Sequence, residues 1–400
     1  MDLHIVRRRR EYDEARLLGV RNKSIERVLP HCEHFGVCGG CALQHLAPAA
    51  QITSKQQTLL DNLKRIGHVQ PQAILPPLTG PVWGYRRHAR LSVYRGPSPE
   101  QVHVGFVEQH SKRVANIRRC GTLHPKIGDL IEPLAVLIGK LTIAERIPQI
   151  EVAVGENATI LVLRILSQPD RMDRIKLSEF EQTHDLHFYL QPGKRGSTIP
   201  LGTERTSLSY SLPDWNVEIA FEPTDFIQIN GEINRQLVRR AIEELQIKRQ
   251  HRVLDLFCGL GNFTLPLARV SNAVVGIESE PGLVLRARAN AERNGLTNIR
   301  FYRADLFADQ RGAAWQQLPY DRLLLDPPRA GAREILTGFG SKLPQRIVYI
   351  SCHPATLARD AGFLVHARGY QLLSAGVLDM FPHTAHVESM AVFVHAGGSA

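Results

Sequence analysis

Hydrophobic positions change their spacing twice along the chain. Within residues 51 to 67, Ile52, Leu59, Leu60 and Leu63 fall on one face of a 3.6-residue period, which predicts a helix. Between 81 and 120 apolar and polar residues alternate in short runs, ARLSVYRG and VHVGFVEQ, the period of half-buried strands. Residues 150 to about 222 continue mostly as strand (EVAVG, TILVLRIL, LHFYL, SLSYSL, VEIAF), so a mostly β central domain is expected. At Arg252 strand-like runs begin to alternate with helical ones: RVLDLF then 263–270, AVVGIE then 282–294, IRFY, DRLLLD, and RIVYIS then 355–366. That alternation predicts an α/β domain with a parallel, doubly wound, Rossmann-like sheet. Two further strands, 370–378 and 388–395, have no helix between them and read as an antiparallel edge pair, making seven strands. Four segments result: 1–30, 31–70, 71–225 and 226–400.

The chemistry collects at the ends of the predicted strands. VLDLFCGLGNFTLPLA (253–268) is strand, glycine turn and helix. Gly259 and Gly261 let the backbone turn sharply and approach a ligand closely. The position of a third fingerprint glycine holds Thr264, which disfavours a dinucleotide, whose diphosphate needs that close approach. Glu278 ends the next strand, where a carboxylate can accept bonds from ribose hydroxyls. A ribose-bearing ligand without a diphosphate fits, with S-adenosylmethionine the leading candidate; an ordinary βα turn is the plain alternative. LLLDPPRAG (323–331) fixes Asp326 at a strand end before two prolines that cannot continue a helix. Cys352 follows RIVYIS directly. A cysteine in such a place either fills space or points into the crevice where open α/β sheets bind ligands.

Charge adds a partner. The net charge is +10. Residues 1 to 120 hold 19 Lys and Arg against 9 Asp and Glu, while the rest balances at 30 against 30. A basic first third on a neutral remainder suggests a polyanion, most commonly nucleic acid. Three of the six cysteines, Cys32, Cys38 and Cys41, lie within ten residues, and Cys120 is remote. Such spacing reads as a metal site in a reducing compartment. Zinc favours two short-spaced pairs, whereas three clustered ligands and one distant suit a cubane better. No apolar run reaches the roughly 20 residues of a membrane span, and MDLHIVRRRR is no secretory leader, so a cytoplasmic protein is expected.

Together DFIQIN (225–230), DLFCGLGNFTLPLA (255–268), DPPRAG (326–331), YISCHPATLARD (349–360), HVESM (386–390) and the cysteine cluster CEHFGVCGGCALQH resemble the RNA uracil-C5 methyltransferases, over residues 7 to 396. The resemblance implies an S-adenosylmethionine-dependent enzyme. Its cofactor would be bound by Gln228, Phe257, Asn262, Glu278, Asp305 and Asp326. Cys352 would be the nucleophile toward C6 of uracil and Glu388 the general base. Cys32, Cys38, Cys41 and Cys120 would hold a 4Fe–4S cluster. Phe226, beside Gln228, is a candidate to stack on a flipped base. The partner implied is 23S ribosomal RNA, and the protein is expected to be a monomer with no membrane role. The cysteine cluster separates this chain from the family's tRNA enzymes. Such proteins usually begin with a complete TRAM domain, an OB-like barrel; here 31 residues precede Cys32, enough for one or two of its strands. The competing readings are methylation of another ribosomal uridine and an RNA-binding protein with an inactive methyltransferase domain; the presence of both Cys352 and Glu388 argues against the latter.

Overall fold

The structure, a computed structural model, describes residues 2–10, 12–98, 101–193, 197–339 and 343–395. Its largest sheet has eight strands: β1 (Ala73–Ile74), β2 (Arg252–Leu256), β3 (Ala273–Glu278), β4 (Ile299–Arg303), β5 (Arg322–Leu325), β6 (Arg346–Ser351), β7 (Tyr370–Leu378) and β8 (Glu388–His395). Their order across the sheet is β4-β3-β2-β5-β6-β8-β7-β1. The neighbours from β4 to β6 are all parallel. β8 runs antiparallel to both β6 and β7. The central strands are almost wholly apolar because helices cover both faces of the sheet. Alternate residues serve alternate faces: Val253, Leu324, Val348 and Ile350 join one core, whereas Leu254, Leu323, Leu325, Ile347 and Tyr349 join the other. Helices α2 (Gly231–Leu245), α3 (Thr264–Val270) and α4 (Pro281–Arg293) pack on the first face. Helices α1 (Pro48–Asn62), α5 (Arg333–Gly338) and α6 (Pro354–Arg368) pack on the second.

Two expectations need correction here. The sheet has eight strands, not seven, because β1 adds to β7 through the pairs Ser374–Ala73 and Ala375–Ile74. The last two strands pair antiparallel as read, but they are not an edge pair. β8 is inserted between β6 and β7, so the edge passes to the two-residue β1. Strand order is a non-local property that the spacing of apolar residues does not carry.

The central region has a six-stranded sheet in the order Val102–Gly105, His88–Arg95, Gln149–Val154, Thr159–Arg164, His187–Gln191, Ile199–Pro200. Leu91, Ile150, Val152, Leu161, Leu163 and Phe188 form its core with Leu134, Ile138 and Leu177. It is less uniformly β than the run from 150 to 222 suggests. Thr159–Arg164 and His187–Gln191 are parallel, and parallel neighbours need a crossover. The helix Arg171–His184, capped by Asp170, supplies it. The hairpin of Leu208–Leu212 and Val217–Phe221 leaves this sheet and packs into the first-face core of the large one. Asn290 of α4 and Asn294, its C-cap, cover the free edge of the hairpin, each bonding both the N–H and the C=O of one residue, Ala220 and Glu218 respectively.

At the N-terminus Asp2–Arg8 and Asp13–Gly19 form a two-stranded antiparallel ribbon, which no other strand joins among the described residues. The cysteine-bearing segment lies against the central region, with Gly39 N–H donating to Val107 C=O at 2.8 Å and Gln109 N–H to Val37 C=O at 2.8 Å. No described helix is long and apolar enough to cross a membrane.

Candidate active site

The C-terminal ends of β2, β3, β5 and β6 open on a cavity of about 510 Å³, within the usual range for a ligand site. Gln228, Phe257, Asn262, Glu278, Asp305, Asp326, Cys352 and Glu388 all line it. The structure thus brings into one space the eight residues expected to bind cofactor or carry catalysis, drawn from more than 150 residues of chain.

The glycine turn after β2 shapes one wall. Phe257 and Gly259 have positive φ, at 65° and 54°, and Gly261 stands at 95°. At Gly261 that φ strains any residue with a Cβ, and the Cβ would also lie 2.1 Å from Leu265 Cδ1 of α3, forcing that side chain to move. Glu278, at the end of β3, accepts from Gly259 N–H at 3.2 Å and from the Ser279 and Glu280 amides at 2.7 and 3.0 Å. These bonds hold the carboxylate fixed at the rim. Asn262 is locked by two partners: it exchanges side-chain hydrogen bonds with Asn234 at 2.9 Å, and Tyr210 Oη donates to its Oδ1 at 3.0 Å. Asp305 accepts from Phe307 N–H at 3.0 Å, turning the chain so that the Phe307 ring stands 5.9 Å from that of Phe257. Gln228 Nε2 reaches Asp326 at 3.5 Å.

The charge of this wall selects a ligand. Glu278, Asp305, Asp326 and Glu388 face the cavity, against Arg329 as the lone Lys or Arg among its described lining residues. A diphosphate would be repelled there. A ligand with a ribose, a sulfonium and an ammonium group is complementary, so the residues fit S-adenosylmethionine.

At the other end, Cys352 sits between β6 and α6, whose first turn is capped by His353 accepting from Thr356 N–H at 3.4 Å. Glu388 opens β8, and Ser389 Oγ donates to Ser351 C=O at 3.2 Å, fastening the two strand ends side by side. Burial pushes the Glu388 carboxyl up to about 8; the nearby Asp326 adds to the rise, while Arg329 and Lys55 oppose it. Burial likewise raises Asp326 to about 7. The Cys352 thiol is raised by burial first, then by Glu388 and Asp326, with Arg329 acting the other way. Two buried carboxyls and a thiol competing for protons around one cation form an arrangement suited to acid–base and nucleophilic work near neutral pH.

Some lining residues lie outside the expectations above. Arg329 Nη2 contacts His386 Nδ1 at 3.1 Å, and the His386 and Phe381 rings are 5.1 Å apart. Arg329 and His386 stood inside the quoted motifs, so their presence was visible but their meeting was not. Tyr210 comes from the hairpin and gave no sequence signal. Phe226, by contrast, was expected as a base-stacking candidate, and it is 71% exposed at the cavity mouth, an unusual place for so large an apolar ring. Cys258 is buried in the first-face core.

Cys32, Cys38, Cys41 and Cys120 line a second, small pocket with Trp83, Arg86 and Phe106. All four are free thiols. Burial raises Cys32, Cys38 and Cys41, the last to about 11, and the charge of Cys120 adds to each. Gly40 N–H points at Cys38 Sγ at 3.4 Å, and Cys120 Sγ lies 3.2 Å from Thr122 Oγ1. The histidines nearby have other partners: His34 Nε2 accepts from Arg118 N–H at 3.3 Å, and the His31 ring packs at a tilt against Trp83. Among the described residues no group of three or more His, Cys, Asp or Glu side chains is closed around the position of a metal ion. The thiol set is the right chemistry for a thiophilic metal or cluster, and its convergence, though not closure, is in place.

A family model described as tRNA (uracil-5-)-methyltransferase matches residues 49–396. The chain is 53% identical over 386 residues to a protein of Xanthomonas axonopodis pv. citri named 23S rRNA (uracil(1939)-C(5))-methyltransferase RlmD, covering 96% of this chain and 87% of that one. A protein of the same name from Stenotrophomonas maltophilia is 51% identical with the same coverage. Among solved structures, the Pyrococcus abyssi tRNA (uracil-54, C5)-methyltransferase in complex with S-adenosyl-L-homocysteine superposes with a TM-score of 0.71 at 23% identity, covering 98% of this chain and 92% of that one. That likeness concerns the fold.

Proposed function

The chain belongs to the tRNA (uracil-5-)-methyltransferase family, the S-adenosylmethionine-dependent RNA uracil-C5 methyltransferases, and from that premise we propose that it methylates C5 of a uridine in 23S ribosomal RNA. The half-identical relatives bearing that name support the choice of RNA. One observation carries the reading. A cysteine, a carboxyl whose proton affinity is raised to about 8, and a wall bearing Glu278, Asp305 and Asp326 share one cavity.

Bound S-adenosylmethionine supplies a methyl group on a positively charged sulfur, which Glu278, Asp305 and Asp326 suit by charge and Asn262 and Gln228 by hydrogen bonding. Uracil C5 is a weak nucleophile. With its proton released to solvent, Cys352 Sγ adds as the thiolate to C6 of the ring, the C5=C6 bond opens, and the electron pair collects over C5 and O4. Arg329, the cation beside Cys352 and Glu388, stabilises both the thiolate and that developing charge. After C5 has gained its methyl group, Glu388 takes the C5 proton. The electron pair re-forms the double bond and expels the thiolate. A target base must leave its stack to reach Cys352, and the exposed Phe226 ring at the cavity mouth is placed to stack on it. Cys32, Cys38, Cys41 and Cys120 are read as the ligands of a 4Fe–4S cluster with a structural role; methyl transfer requires no electron transfer.

The test uses opposite phenotypes. Cys352→Ala should lose methyl transfer while retaining S-adenosylmethionine binding. Glu388→Gln should stall after methylation and accumulate a protein–RNA adduct, seen as a slow band on a denaturing gel. The double variant should form none. Full activity in Cys352→Ala, or normal turnover in Glu388→Gln, would refute the roles assigned. Mapping 5-methyluridine in ribosomal RNA from a deletion strain identifies the target.

A further inference from the structure

The segment 379–387 joins β7 to β8, carries Phe381 and His386 into the cavity, and delivers Glu388 at its end. It is held largely by residues more than 290 positions earlier. Lys55 of α1 donates to Asp379 Oδ1 at 2.7 Å and to Phe381 C=O at 2.9 Å. Gln51, one turn earlier on the same face, accepts from His383 N–H at 2.9 Å, and its Nε2 meets His383 Nδ1 at 3.2 Å. The Ala42 and Leu43 amides both donate to His383 C=O, at 2.8 and 2.9 Å. Tyr85 Oη donates to Pro382 C=O at 3.0 Å, and Trp83 lies on the His383 ring at 4.2 Å.

His383 has φ of 66°, a left-handed conformation that a non-glycine residue holds only when its surroundings enforce it. The Lys55–Asp379 pair is 3% and 5% exposed. An ion pair so deep is a poor source of stability but a strict one of geometry, since neither charge can turn elsewhere without a partner. Four groups besides Lys55 act on Glu388 or stand beside it: Asp326 and Cys352, which are anionic when ionised, Arg329, which is cationic, and His386, which meets Arg329. Two of these, Asp326 and Arg329, sit on the rigid Asp-Pro-Pro turn. The other cation acting on Glu388, Lys55, comes from α1, which belongs to the N-terminal third of the chain.

We propose that Gln51 and Lys55 are positioning residues for the proton-removal step: through the strained loop 379–387 they fix where Glu388 and His386 stand, so that α1 and the cysteine segment before it act on the chemistry without touching the substrate. The proposal rests on Glu388 being the base. A displacement of about 1 Å at a reacting group can cost roughly a hundredfold in rate, and the cost should fall on the step that Glu388 performs.

The experiment compares Lys55→Met, Lys55→Arg and Gln51→Met with Glu388→Gln, using the full chain, a ribosomal RNA fragment containing the target uridine, and S-adenosylmethionine carrying a labelled methyl group. Lys55→Met should form the methylated protein–RNA adduct and resolve it about a hundredfold more slowly than the unsubstituted protein, with S-adenosylmethionine affinity unchanged. Lys55→Arg, which keeps the charge, should recover most of the resolution rate. Gln51→Met unpairs no charge and keeps the proposal testable if Lys55→Met does not fold; it should slow adduct resolution by roughly tenfold. Loss of methyl transfer without adduct in folded Lys55→Met, or wild-type adduct lifetimes in both Lys55→Met and Gln51→Met, would overturn the proposal while leaving Glu388 as base. If Glu388→Gln itself accumulates no adduct, the base assignment fails and the proposal falls with it.

Discussion

Glu388 illustrates how burial serves chemistry at the expense of stability. Its carboxyl is raised from 4.5 to about 8, with burial the main cause. The folded state therefore binds a proton that the unfolded chain releases above pH 4.5. Stability from this group is fully present below that pH and is lost as pH rises through about 8. Replacing it with glutamine removes the dependence. The melting temperature of Glu388→Gln should therefore exceed that of the unsubstituted protein by an increasing margin from pH 5 to 8 and then level off, the limit being on the order of a few kcal/mol. Catalysis should show the opposite trend, because a base must be ionised: turnover should rise with pH toward about 8. A pH-independent difference in melting temperature, measured by calorimetry across that range, would show that Glu388 is not buried as described.

Among the elements, the cysteine segment is the one to which we assign a bound cluster. Residues 31–47 contain turns and isolated bridges but no helix or strand of their own until α1 begins. Metal-binding energy at such a site is also folding energy. Protein purified without oxygen should be brown and contain iron and sulfide; stoichiometric zinc without iron would refute the cluster. Cys120→Ala should lose the colour and lower the melting temperature. This scale also shows what the sequence could convey. The helices at 263–270, 282–294 and 355–366 are found as Thr264–Val270, Pro281–Arg293 and Pro354–Arg368, the last two because their starts carry both a proline and a cap, the first because it follows the glycine turn directly. The helix read over 51–67 starts three residues earlier and widens into a π-turn at Leu63–Gly67. Arg171–His184 escaped notice because it buries only Asp173 and Leu177, too little for an apolar stripe. The cavity residues were legible wherever a motif named them. Lys55, Gln51, Asp379 and Tyr210 were not, since their roles come from contacts between distant segments.

Over the whole molecule, charge and chemistry are segregated. The acidic cavity lies in the large sheet, whereas the +10 excess falls in residues 1 to 120, which include the N-terminal ribbon and the cysteine segment. Arg7, Arg8 and Arg16 are exposed on that ribbon. RNA affinity should fall steeply with salt, because each phosphate neutralised releases counterions. Replacing these three arginines with alanine should make the log–log slope shallower by about 2 to 3, with S-adenosylmethionine affinity unchanged. An unaltered slope in filter-binding titrations would place the RNA on another face.

The insertion of β8 between β6 and β7 bears on how the protein is made. While the ribosome is still delivering residues before 388, β2 to β7 can pair only into a sheet with an open slot, and two apolar strands expose unpaired edges to the crowded exit region. The same stretch that fills the slot brings Glu388. Any product of interrupted translation that ends earlier should thus lack the proposed base, keep the slot open, and be a good substrate for proteolysis. The closed sheet and the proposed base are supplied together, at the end of synthesis.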